Sequence, residues 1–326
     1  MKWTIQQNYG LEVAVFRRLR SVLGLVTKNG ERYIWKTVQS SGALERLSEV
    51  SRLVLRLRSL GIRAAGPIPT NSGKLTCTFH EVSGSEAIGY LQPWLNGRHV
   101  DLSKRIERLA ALSTIFAMHR ATLLGDIHGQ GMPHDLFEFP STSLLAKRMY
   151  AKHELLRDVW LRLVRRFRAA EPIKETVFGG MVAALAAAWP VPEFGRPVMM
   201  RHCWCHRDLA PHNMLWDGHS VALIDFDLAA PDDPLGDAVQ VCNHALSLGA
   251  VDETEWVEMA LHYADVGNLS GWERTRLWNL LRFPDTLARA VSEWAQTGFP
   301  TDFPQLERAL ECERTRAAWT LNNKLS

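Results

Sequence analysis

The segment from Cys205 to Asp227 constrains this chain most. It reads Cys205-His206-Arg207-Asp208-Leu209-Ala210-Pro211-His212-Asn213-Met214-Leu215-Trp216 and later Leu223-Ile224-Asp225-Phe226-Asp227. Two short apolar runs, Met214-Leu215-Trp216 and Val221-Ala222-Leu223-Ile224, flank the turn dipeptide Asp217-Gly218. The pattern predicts a small hairpin. Asn213 stands just before its first strand and Asp225 just after its second, so antiparallel pairing returns both side chains to one open end. Asp208, on the loop before Asn213, is held nearby.

The residues on either side differ in kind. Val22 to Thr27 and Arg32 to Val38 are rich in strand formers, and Asn29-Gly30 between them is a strong hairpin signal. Period-two alternation puts Ile34, Lys36 and Val38 on one face of the second strand. A helix is predicted from about Gly42 to Leu60, where Leu44, Leu47, Val50, Leu53, Val54, Leu57 and Leu60 form one apolar stripe before Gly61. Residues 74–81 and 86–94 predict a second strand pair. From Asp101, a plausible N-cap, helical patterns dominate: to about Leu124, then 142–169, 174–189, 234–248, 252–265, 271–297 and 303–320. The expectation is an α+β chain with a small sheet-plus-helix lobe over residues 1–93 and a larger, mainly helical lobe over 94–326.

Composition narrows the partners. The net charge of +3 is not the concentrated basic face that nucleic acid requires. Gly180 to Trp189, the most apolar stretch, is too short to cross a bilayer. The first residues carry no secretory signal pattern, and five largely scattered cysteines fit a reducing, cytoplasmic setting. His202-Cys203-Trp204-Cys205-His206 holds metal-ligand types, but in a strand the cysteines point one way and the histidines the other, so the four cannot close one tetrahedral site. The twelve tryptophans are read as packing, and Arg162, Arg165, Arg166 and Arg168 as a solvated helix face.

Two carboxylates and an amide oxygen at one hairpin end suit Mg²⁺, which prefers hard oxygen ligands and takes one or two carboxylates together with phosphate oxygens. A carboxylate beside them can orient a hydroxyl and accept its proton. A metal and a positioned base are most of what phosphoryl transfer asks of a protein.

His206-x-Asp208, Asn213 five residues after that aspartate, and Ile224-Asp225-Phe226-Asp227 resemble the motif pair of the aminoglycoside phosphotransferases and their relatives, which share the protein-kinase fold. The resemblance implies a bilobal kinase-like fold that uses ATP and Mg²⁺. It makes Asp208 the catalytic base, His206 a structural member of the catalytic loop, and Asn213 and Asp225 the metal ligands. Lys36 would pair with nucleotide phosphates. Its helix partner would be Glu49, which flanks the apolar stripe, with Glu45 the other candidate. Asp237 resembles the family's aspartate that braces the catalytic loop, and Ile115-Phe116-Ala117-Met118-His119 resembles its Leu-Ala-x-Leu-His helix. Tyr90 to Arg98 and Leu280 to Pro284 resemble the family's spore-coat branch, the coat protein S group; that branch implies a structural role among spore coat proteins. The chain departs from the pattern at Phe16-Arg17-Arg18-Leu19-Arg20-Ser21, the expected phosphate-covering loop, which has no glycine. Few residues separate Asp225 from Asp237, so the long segment that docks peptides on protein kinases is missing, which favours a small-molecule hydroxyl as acceptor.

Overall fold

The computed structural model describes residues 1–19, 22–38, 41–80, 84–123, 143–189 and 203–322. The chain divides into two compact units. One holds Met1–His99 with His212–Ala229, the other Val100–Pro211 with Ala230–Ser326.

The first unit opens with a short helix, α1 (Lys2–Tyr9), stopped by Gly10 in the left-handed region. Five strands follow, with order β1-β2-β3-β5-β4, all neighbours antiparallel: β1 (Val13–Leu19), β2 (Val22–Thr27), β3 (Arg32–Thr37), β4 (Cys77–His80) and β5 (Glu86–Pro93). Asn29-Gly30 makes the turn between β2 and β3, and Gly30 has a φ of 87°. Trp35, on the face of β3 opposite Lys36, packs with Ile5, Leu25, Phe79 and Leu91. Helix α2 (Ser41–Ser59) buries Leu47, Val50, Leu53, Val54 and Leu57 and leaves Leu44 exposed; Leu60, just past its end, is exposed too. The hairpin expected around Asp217-Gly218 forms from β8 (Met214–Trp216) and β9 (Val221–Leu223), and β6 (Arg98–His99) pairs beside β8.

The lobe limits expected from the sequence differ from this division. Residues 94–99 and 212–229 join the first unit rather than a lobe running unbroken from 94 to 326. The cause is backbone pairing. Strand β6 bonds to β8, and Leu223 exchanges hydrogen bonds with Arg63 O and Ala65 N.

The second unit is helical: α3 (Arg105–Ala121), α4 (Leu144–Arg166), α5 (Lys174–Ala188), α6 (Leu235–Ser247), α7 (Glu253–Val266), α8 (Gly271–Leu281), α9 (Asp285–Gln296) and α10 (Pro304–Asn322). Its one small sheet among the described residues pairs β7 (Cys203–Cys205) with β10 (Ala230–Asp232). Helix α3 begins later than its expected N-cap, because the Asp101 carboxylate caps a preceding turn by accepting from Ser103. The pattern over 271–297 resolves into two helices: α8 ends before Pro284, which lacks an N–H and serves as the N-cap of α9. No helix among the described residues is long and apolar enough to cross a membrane.

Candidate active site

In the first unit, strand β3 sets Lys36 with a nearly buried side chain. Its Nζ lies 2.7 Å from Asp225 Oδ1 and 2.8 Å from Asp227 Oδ1. The strand register places Tyr90 of β5 opposite Lys36, and the Tyr90 hydroxyl donates to the same Asp227 oxygen at 3.3 Å. Burial pushes the Tyr90 phenol well above its ordinary value, with Asp227 and Asp225 adding to the effect, so it stays a neutral donor. At the hairpin end Ile224 N donates to Asn213 O at 3.0 Å, so Asp225 follows directly on the residue bonded to Asn213. Asn213 is buried. Asp225 has a φ of 66° and ψ of 62°, a left-handed conformation that is uncommon for a non-glycine residue and worth relating to function.

In the second unit, the loop that carries His206, Arg207 and Asp208 hangs on Asp237, in the first turn of α6. Asp237 Oδ2 accepts from His206 N at 2.7 Å and Oδ1 from Arg207 N at 2.9 Å. His119 Nε2 lies 2.9 Å from Asp237 Oδ2, and its Nδ1 lies 2.9 Å from the Tyr263 hydroxyl. Burial alone would lower the His119 pKa; hydrogen bonds to Asp237 and Cys205 outweigh it and raise the value to about 9. Burial likewise opposes ionisation of Asp237, and the bond from His119 overcomes it, so the carboxyl stays below its usual range. Both directions describe a buried ion pair. Gln240 adds a second hold by accepting from Leu209 N at 2.8 Å. Arg207, like Asp225, has a left-handed φ, here 67°. Asp208 is half-buried, and its N–H faces His206 Nδ1 at 3.4 Å.

The model of the phosphotransferase enzyme family matches residues 20–278. The chain belongs to that family. It is similar in fold to a solved aminoglycoside phosphotransferase from Alicyclobacillus acidocaldarius, with 19% identity over 99% of this chain and 93% of that one, and a TM-score of 0.76. It is also similar to an AMP-bound spectinomycin phosphotransferase, with 12% identity, coverage of 98% and 96%, and a TM-score of 0.64. For a macrolide 2'-phosphotransferase from Brachybacterium faecium the values are 17%, 93% and 94%, and 0.54. No curated protein matches the chain. The fold is therefore kinase-like.

Some sequence expectations for this phosphotransferase need correcting. Lys36 pairs with Asp225 and Asp227 and not with Glu49, which stays half-buried on α2; Glu45 is exposed there. Phe16 to Leu19 is strand rather than loop, paired with β2 up to Leu19 opposite Val22. Arg20 and Ser21 lie outside the described residues. The hairpin does hold a glycine, Gly24, opposite Arg17, where an added Cβ would meet Leu19 Cδ1 at 2.9 Å.

Cys203 and Cys205 share a side, as alternation requires, with sulfurs 3.9 Å apart beside His119. Both ring nitrogens of His119 have partners, Asp237 and Tyr263, and burial pushes both thiols up. His202 lies outside the described residues. Sequence reasoning missed Asp227, Tyr90 and Gln240. The aspartate was visible in Asp225-Phe226-Asp227, but the other two have no local signal.

Proposed function

We propose that the chain transfers the γ-phosphoryl group of ATP to a hydroxyl of a small molecule, with Mg²⁺. The observation that carries this reading is the Lys36 ammonium held against Asp225 at the end of the hairpin that begins at Asn213. The donor set fits the ion: a part-exposed carboxylate and an amide oxygen leave room for phosphate oxygens. When bound, Mg²⁺ would neutralise charge on the phosphates. Asn213 and Asp225 would hold it. Lys36 would turn its ammonium to phosphate oxygens. Asp208 would accept the acceptor's hydroxyl proton as the new O–P bond forms and the bond to the departing ADP breaks. His206 and Asp237 would keep Asp208 in place.

Nucleotide-dependent thermal shift and ATP consumption test the assignment together. Asp208→Asn should keep nucleotide binding and lower turnover by about 10²–10⁴-fold. Unchanged turnover would remove the base from Asp208. A screen of hydroxylated metabolites and aminoglycosides by ATP consumption identifies the acceptor. A second reading, a spore-coat protein of the coat protein S group with little turnover, draws on the segments Tyr90 to Arg98 and Leu280 to Pro284. It predicts no thermal response to Mg²⁺-ATP and a place in the spore coat; the first reading places the enzyme in the cytoplasm.

A further inference from the structure

We propose that Asp227, steadied by Tyr90, is the residue that positions Lys36 for the nucleotide, the task that the sequence resemblance assigns to Glu49. This rests on the phosphotransferase reading above and adds a positioning residue to it. Lys36 has two carboxylate partners among the described residues, and both come from Asp225-Phe226-Asp227. The two differ in what binding asks of them. A carboxylate that holds Mg²⁺ beside Lys36 shares its charge between two cations, and like charges so close oppose each other. Asp225 therefore cannot remain a full counter-ion for Lys36 in the metal-bound site. Asp227 can.

The local structure separates their roles. Phe226, buried between them, starts the single turn Phe226–Leu228, and α2 packs on that turn. The anchored phenyl ring fixes the turn and with it the place of Asp227. Tyr90 comes from the neighbouring strand, in register with Lys36, and donates to the same Oδ1 that holds the ammonium. Its phenol stays protonated, so this donor persists over the working pH range. Lys36, Tyr90 and Asp227 thus form a closed group that needs nothing from Glu49. Asp227 is 58% exposed, so its removal should affect the aim of Lys36 more than the stability of the sheet.

The test is titration of the whole protein with a non-hydrolysable ATP analogue at several Mg²⁺ concentrations, read by calorimetry. The proteins are wild type, Asp227→Asn, Asp227→Glu, Tyr90→Phe, Glu49→Gln, Lys36→Ala and the Lys36→Ala/Asp227→Asn double variant. Asp227→Asn should weaken the analogue about tenfold at saturating Mg²⁺, and Asp227→Glu should recover most of that. In the Lys36→Ala background Asp227→Asn should cost nothing more, because a residue that acts through Lys36 has no effect once Lys36 is gone. Tyr90→Phe should fall between wild type and Asp227→Asn.

Equal binding by wild type and Asp227→Asn overturns the assignment, as does a loss with Glu49→Gln in its place. Additive losses in the double variant overturn it too. So does a change confined to the Mg²⁺ requirement, which would make Asp227 a metal ligand. A wild type that binds no analogue at any Mg²⁺ concentration overturns the proposed function itself, which is a separate result.

Discussion

Asp237 illustrates how much one buried carboxylate can hold. It accepts from two consecutive backbone N–H groups and pairs with His119. Asp237→Asn keeps the shape but strands His119, and breaking a buried pair from one side typically costs about 3–5 kcal/mol. A lower urea midpoint should report it. The pair also makes stability depend on pH. His119 is raised from 6.5 to about 9 in the folded state, so its contribution is complete below 6.5 and disappears as pH rises through 9. Asp237 is lowered from 3.8, so its contribution is complete above that value and is lost as pH falls through the folded pKa. Stability from this pair is therefore greatest between the two. Between pH 6 and pH 9.5 the wild type should lose on the order of 3 kcal/mol through His119. His119→Asn should lack that alkaline loss, and urea unfolding of both proteins at both pH values measures it. The return of the chain from Asn213 to the residue before Asp225 was legible in the sequence, because the hairpin pairs Ile224 N with Asn213 O. The partner of Lys36 was not, because helix α2 offers two glutamates and a wheel diagram cannot say whether the lysine turns toward the helix or toward Asp227.

At the scale of elements, strong local signals were legible and weak ones were not. Asn29-Gly30 and Asp217-Gly218 each joined the strands they predicted, and the middle of the stripe, Leu47 to Leu57, is buried on α2 while Leu44 and Leu60 at its ends are exposed. Helix α1 escaped notice because it buries only Thr4, Ile5 and Tyr9, too few to make a period. The family pattern makes Phe16 to Ser21 a loop, whereas Phe16 to Leu19 continue the edge strand β1, which tolerates the charged Arg17 and Arg18. A glycine within β5 had no visible role in the sequence, but the packing supplies one. A Cβ at Gly89 would lie 2.3 Å from Trp35 Cζ2 and 3.0 Å from Lys36 O. Trp35 fills the core on that side, and Lys36 is its neighbour. Gly89→Ala must therefore displace the ring, at a cost of about 1–3 kcal/mol. The expected outcome is a lower denaturant midpoint together with altered near-ultraviolet circular dichroism from Trp35. An unchanged midpoint would mean that the ring has room to move.

At the scale of the molecule, the chain order and the division into units disagree, and the disagreement carries a prediction. The chain leaves the helical unit after Pro211, spends residues 212–229 in the amino-terminal unit, and returns at Ala230. That excursion contains Asn213, Asp225 and Asp227, while His206, Asp208 and Asp237 belong to the helical unit. Linear reading could not see this, because it depends on pairing between β6 and β8, far apart in sequence. Substitutions in the two sets should consequently separate ligand-dependent from intrinsic stability. Mg²⁺-ATP at a hundredfold its dissociation constant should stabilise the wild type by about 2.7 kcal/mol. Asp225→Ala should abolish that increment yet change the unliganded protein by less than about 1 kcal/mol, because the carboxylate is part-exposed and Asp227 still pairs with Lys36. Asp237→Asn should do the reverse. It lowers the unliganded melting temperature but retains most of the ligand increment, since its hydrogen bonds lie within the helical unit. Thermal unfolding of the three proteins with and without Mg²⁺-ATP decides the matter. A full ligand increment in Asp225→Ala would end the metal-ligand assignment, and loss of the whole increment in Asp237→Asn would show that the brace serves nucleotide binding directly.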